Sequence, residues 1–147
     1  MSSENNMIRL ALDAMGGDNA PACVVRGADI ACGLNPNLEI VFYGDDARIG
    51  PLITKASHLG RATIVHTVDA VSPDDTASQA VRRGKATSMW MAIASVAARE
   101  TDAVVSAGNT GAMMAMSKLQ LRPMTGVTRP AIAAFFPTVG ELVCMLD

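Results

Sequence analysis

Two short stretches of this chain carry residue types suited to holding an anion. The first is Asp13-Ala14-Met15-Gly16-Gly17-Asp18 and the second is Ser106-Ala107-Gly108-Asn109-Thr110-Gly111. Each follows a brief apolar run and precedes a segment of helical periodicity, so each reads as the turn between a strand and a helix. The first pairs flexible backbone at Gly16 and Gly17 with two carboxylates, Asp13 and Asp18. The second offers hydroxyls on Ser106 and Thr110, an amide on Asn109, and backbone N–H groups at a helix start. A helix amino terminus carries partial positive charge and unsatisfied donors, which favours phosphate or an oxyanion there. The plainer alternative for both is a tight turn that needs glycine only for backbone geometry.

Cations stand nearby in sequence. Arg82, Arg83 and Lys85 form a basic cluster just ahead of Ser88, and Arg129 lies in a Gly-Val-Thr-Arg-Pro turn. A solvated helical face accounts for such a cluster. The sharper alternative is an anion site, with Arg as a bidentate clamp and Lys as a point charge. Other chemistries find little support. Cys23, Cys32 and Cys144 sit in apolar segments and read as core thiols. His58 and His66 are isolated, and no His, Cys or carboxylate spacing suggests a metal site. Met89, Met91, Met113, Met114 and Met116 read as core filler rather than a binding surface. Neither a G-x-x-x-x-G-K-[ST] nor a G-x-G-x-x-G string occurs, so nucleotide binding has no motif to rest on.

The elements that must position these residues alternate. Ile8 to Leu12 reads as a buried strand, and a helix after Pro21 carries Val24, Val25, Ala28, Ala31 and Cys32 on one face before Gly33 and Asn35-Pro36 end it. Strands are predicted over Leu38 to Tyr43, Ala62 to His66 and Asp102 to Val105, with a helix through Ile49 to Ala56 that must hold Pro51 in its first turn. Ser72 to Thr87 is a polar, partly helical segment. Ser88 is the predicted cap of a helix with Met89, Ile93, Val96 and Ala97 on its apolar face. A helix from about Ala112 to Leu119 follows the second glycine loop, and two strand-like runs close the chain, Ala131 to Phe136 and Glu141 to Leu146. This alternation predicts an α/β fold with a mostly parallel sheet, whose carboxyl edge is where both glycine loops fall.

Bulk properties narrow the function classes. Over 147 residues, half are apolar and only 3% aromatic, an aliphatic composition that suits a sheet covered on both faces. The formal charge of −2 and pI near 5.6 supply no global field for DNA or RNA. No apolar stretch approaches the roughly 20 residues of a membrane span. The absence of a signal-peptide core and three unpaired cysteines point to the cytoplasm. Because Asp147 directly follows an apolar strand, the chain is expected to be truncated.

The string Leu12-Asp13-Ala14-Met15-Gly16-Gly17-Asp18-Asn19-Ala20-Pro21 resembles the opening signature of the PlsX-type phosphate acyltransferases of bacteria. Val105 to Ala112 resembles a second signature of that family. Ala80-Val81-Arg82 with Lys85 and Ser88-Met89 looks like its basic segment, and Gly126 with Arg129-Pro130-Ala131 follows in the same order. Asp75-Thr76 departs from the acidic-proline pair common there, and Thr87 replaces the first of a usual serine pair. Members are roughly twice as long, so the resemblance makes residues 1–147 the amino-terminal part of a single α/β domain whose carboxyl half is absent.

The resemblance implies a three-layer α/β/α arrangement of the isocitrate and isopropylmalate dehydrogenase type. It implies a reaction of inorganic phosphate with acyl-acyl-carrier-protein to give acyl-phosphate for glycerophospholipid synthesis, with no cofactor and no metal. It further implies a homodimer, peripheral membrane association in some members, and hand-over to a membrane glycerol-3-phosphate acyltransferase. On that basis Asn109, Lys85 and Arg82 are the expected catalytic residues, and Ser106, Gly108, Asn109, Thr110 and Gly111 the phosphate cradle. Asp13 and Asp18 would orient the cations, with Gly16, Gly17, Ser88 and Arg129 completing the site. Two rivals share the residues: a nucleotide-dependent dehydrogenase or kinase of related architecture, and a non-catalytic module that binds the carrier protein.

Overall fold

A computed structural model describes residues 7–128 and 130–147. Four parallel strands form its sheet: β1 (Ile8–Asp13), β2 (Leu38–Gly44), β3 (Thr63–His66) and β4 (Ala103–Ser106), in the order β3-β2-β1-β4. The chain steps outward from β1 to β3 and then crosses to the other side of β1. That reversal places the carboxyl ends of β1 and β4 side by side, with Asp13 in register with Ser106, at the switch point where open α/β sheets bind ligands.

Side-chain alternation along the strands builds the layers. Leu12, Ile40 and Phe42 point to one face, where they meet Val25, Ala28 and Cys32 of α1 (Ala22–Leu34) and Ile49 of α2 (Asp46–Ile53). Ala11, Val41 and Tyr43 point to the other and meet Ala92 of the helix Ser88–Ala97. That helix is α4. It packs through Met89 and Ile93 on Ala80 of α3 (Ala77–Arg83) and on Ala112 and Met116 of α5 (Thr110–Leu121). Helix, sheet, helix is the three-layer plan expected, with a parallel sheet.

Caps decide where the helices begin, and three differ from expectation. Asp45 accepts the Ala47 amide at 3.0 Å, which starts α2 well before Ile49 and leaves Pro51 inside the helix rather than in its first turn. Thr87, not Ser88, caps α4, accepting the Trp90 amide at 3.3 Å. Ser88 is the first helical residue and is released for another bond. Asn109 caps α5, starting it two residues before Ala112. Within the polar segment a reciprocal Thr76–Gln79 capping box opens α3, and a 3-10 turn, Gly84–Ala86, joins it to α4.

The last two strands, β5 (Ala133–Pro137) and β6 (Leu142–Leu146), pair with each other antiparallel and form a separate two-stranded sheet. Phe135, Phe136, Leu142 and Leu146 are exposed on it. Cys144 is exposed there and Cys23 is exposed on α1, so only Cys32 meets the expectation of a core thiol. Burial raises the Cys32 thiol above its ordinary pKa, and Asp29 adds to the effect while Arg61 opposes it. Iodoacetamide at neutral pH should therefore alkylate Cys23 and Cys144 rapidly and Cys32 only after denaturant is added. Peptide mass mapping over time would show equal rates at all three if this helix orientation were wrong.

Candidate functional site

Asp13, at the end of β1, is 2% exposed, and among the described residues no cation pairs with it. Its carboxylate is satisfied by hydroxyls instead. Ser88 Oγ donates to Oδ1 at 2.6 Å and Ser106 Oγ donates to Oδ2 at 2.7 Å, while the Met15 amide reaches Oδ1 at 3.3 Å. One buried side chain thus joins β1, the first turn of α4 and the end of β4. Charge-assisted bonds of this kind are shorter and stronger than neutral ones.

The bond to Ser106 has a second effect. With its hydrogen committed to Asp13, Ser106 Oγ can only accept, and it takes the Gly108 amide at 3.1 Å. Ser106 and Gly108 therefore shape the second loop from inside and do not offer their hydrogens to a guest. The next three amides, of Asn109, Thr110 and Gly111, have no protein partner among the described residues. The Asn109 side chain is used up: Oδ1 accepts the Ala112 amide at 3.0 Å, and Nδ2 donates to the carbonyls of Asp75 at 2.8 Å and Pro73 at 3.2 Å. It clamps the polar segment to the start of α5.

The first glycine loop lies against the second. A methyl group on Gly16 would stand 2.5 Å from Asp13 Oδ2 and 2.9 Å from both Gly108 N and Ser106 Oγ, so only glycine fits. Gly17 has φ +98°, a region that side-chain-bearing residues rarely adopt. Between the loops opens a cleft of about 520 Å³. The first loop gives it Gly17 and Asp18, the polar segment Val71 and Pro73, and the second loop its backbone from Ala107 to Gly111.

The cations are arranged otherwise than expected. Arg82 and Lys85 are exposed and do not line the cleft. Arg83 is paired with Asp75 at 2.9 Å. Neither Asp13 nor Asp18 orients Arg82 or Lys85: Asp13 is occupied by the serines, and Asp18 is exposed at the cleft with no ion pair among the described residues. Arg129 lies outside the described residues. One grouping that sequence spacing concealed is Asp45, Asp46 and His66, whose ligand-type atoms lie within 4.8 Å of one another. Parallel pairing of Gly44 with His66 brings them together from 20 residues apart. Asp45 is engaged as a helix cap and Asp46 with His66 as a 3.0 Å pair.

Removing the Asp13 carboxylate leaves the buried Ser88 hydroxyl and the half-buried Ser106 hydroxyl without their acceptor. Asp13→Ala should cost about 3 kcal/mol and Ser88→Ala about half of that, and Gly16→Ala about 2 kcal/mol through forced contact. Urea unfolding of the three variants checks the order. A Gly16→Ala protein as stable as the parent would contradict the loop-to-loop contact.

A profile of the family described as "Fatty acid synthesis protein" matches residues 8–147. A phosphate acyltransferase of Rhodospirillum centenum is 52% identical over 139 residues, which are 94% of this chain and 39% of that protein. The phosphate acyltransferases of Parvibaculum lavamentivorans and Xanthobacter autotrophicus are each 49% identical, covering 95% and 94% of this chain and 39% and 40% of theirs. The chain spans about 40% of the length of the curated relatives it matches. With a match running through both glycine loops and nearly every described element, the chain belongs to the fatty acid synthesis protein family, and the curated relatives it resembles are phosphate acyltransferases.

Proposed function

We propose that this chain is the amino-terminal, phosphate-holding part of a phosphate acyltransferase. The observation that carries the reading is the row of three amides at Asn109, Thr110 and Gly111, without partners among the described residues, opening on a cleft at the start of a twelve-residue helix. A hydrogen phosphate dianion there accepts amide hydrogens and lies in the positive end of the helix field.

The reaction needs no enzyme nucleophile, because phosphate is one. A phosphate oxygen attacks the thioester carbonyl carbon of acyl-acyl-carrier-protein, a C–O bond forms and the C–S bond breaks. Acyl-phosphate leaves, and the proton of hydrogen phosphate ends on the carrier's sulfur. Holding phosphate against the carbonyl is catalysis by proximity, and any of the three amides not spent on phosphate stabilises the oxyanion as it develops. The Asp13–Ser106–Gly108 chain sets the loop shape that makes this possible, so Asp13 and Ser106 act as positioning residues and Gly16 and Gly17 as the clearance they need. Asp18, open to water, is screened. Arg82 and Lys85, exposed beyond the cleft, are suited to meeting the acidic carrier protein rather than phosphate. A homodimer, action in the cytoplasm with peripheral contact to the membrane, and delivery of acyl-phosphate to a membrane glycerol-3-phosphate acyltransferase complete the reading. No helix among the described residues is long and apolar enough to cross a membrane.

The direct test incubates the full-length protein with palmitoyl-carrier-protein and phosphate and follows acyl-phosphate and free carrier; neither product appearing would end the proposal. Asn109→Ala, which unclamps the loop and misplaces its amides, should lower turnover about 100-fold and raise the KM for phosphate. Unchanged kinetics would remove the loop from the mechanism. Reversing charge with Arg82→Glu plus Lys85→Glu should raise the KM for carrier about tenfold, more so at low salt, and leave the KM for phosphate alone. A change in phosphate KM instead would put those cations back at the anion.

A further inference from the structure

A second depression opens on the other side of the second glycine loop. It holds about 480 Å³ and shares Gly108 and Thr110 with the anion cleft. From Thr110 it follows one face of α5 through Met113, Met114 and Leu121, with Pro123 and Ile132 as its opposite wall. The helix therefore carries two apolar stripes. Ala112 and Met116, four residues apart, are buried against α4. Met114 and Leu121, seven residues apart and so on one helical face, form the other, and Met113 lies between the two, packed partly on the α4 cluster. Both of its packing partners, α3 and α4, lie on the side of the first stripe, so the second, which faces the groove, calls for an occupant. Methionine is flexible and polarisable, and suits a wall that must fit an aliphatic guest of variable shape.

We infer that this groove is the acyl-chain subsite, taking the hydrocarbon tail of the thioester whose carbonyl is attacked at Thr110. The inference rests on the phosphate acyltransferase reading and adds to it the place and direction of the acyl group. Continuity carries it: a reaction that joins phosphate to an acyl carbonyl needs an anion site and an apolar trough meeting at one point, and the two depressions meet at Gly108 and Thr110. Size and lining agree, since small-molecule sites are mainly apolar depressions of about 300–1,000 Å³ with a few polar groups. Thr110 to Leu121 spans about 16 Å of helix, enough for a long chain to lie along it. Lys118 and Arg122 stand on the groove as well, and their aliphatic stems can flank a hydrocarbon while the charges remain in water.

The test uses the full-length protein and two substrates, palmitoyl- and butyryl-carrier-protein, with phosphate saturating. Met114→Trp fills the groove beyond its first turn. The kcat/KM for the palmitoyl substrate should fall about tenfold or more while that for the butyryl substrate stays within about threefold, with the KM for phosphate unchanged. Leu121→Gln, at an exposed rim position that folding tolerates, should give the same selectivity change in smaller measure and serves if the tryptophan variant does not fold. Equal losses on both substrates, or no loss on either, would overturn the inference. So would a fall in Tm with selectivity intact, which would mean that protein segments of the longer chain fill the groove. A parent enzyme that makes no acyl-phosphate from either substrate refutes the function itself, whereas normal acyl-phosphate formation with unaltered chain-length preference in both variants refutes only the subsite.

Discussion

The carboxylate of Asp13, buried and bonded to the hydroxyls of Ser88 and Ser106, is the interaction on which the rest of the site depends. A buried carboxylate is costly unless its lone pairs are met, and here three elements supply the donors. Because the acceptor is shared, none of the three elements can shift without leaving a polar group unpaired. The end of β1, the end of β4 and the first turn of α4 are held in one geometry, and the second glycine loop inherits it through Ser106 and Gly108.

This arrangement separates two tasks that a list of polar residues merges. Groups inside the loop, Ser106 Oγ, the Gly108 amide and the Asn109 side chain, spend their hydrogen-bonding capacity on the protein. The amides of Asn109, Thr110 and Gly111 keep theirs. Fixed backbone donors need no reorganisation when an anion arrives, which is the advantage of building an anion site from a helix start rather than from long side chains. The cations of α3 and its following turn stand outside, where they contribute a local field rather than a clamp.

The periphery is built differently. The core on the β1–β2 faces is apolar, with Phe42 and Tyr43 among its buried side chains, while β4 is paired on one edge alone. The β5–β6 hairpin exposes Phe135, Phe136 and Leu146, and a two-stranded ribbon has little stability without a partner.

Much of the fold was legible in the residues alone. Strand positions, the parallel α/β plan and the placing of both glycine loops at strand ends follow from hydrophobic alternation and turn chemistry, which are local properties. Helix starts are less legible, because Asp45, Thr87 and Asn109 compete as caps with their neighbours, and only backbone geometry decides between Thr87 and Ser88. The exposure of Cys23 and Cys144 and the second stripe on α5 depend on which layers meet, and apolar composition does not report that. The sequence by itself determined the family, the layer plan and the two loops. Tertiary structure alone decided that Asp13 meets two serines 75 and 93 residues away instead of a cation, because strand order, which sets those neighbours, is a property of the whole sheet and not of any stretch of chain.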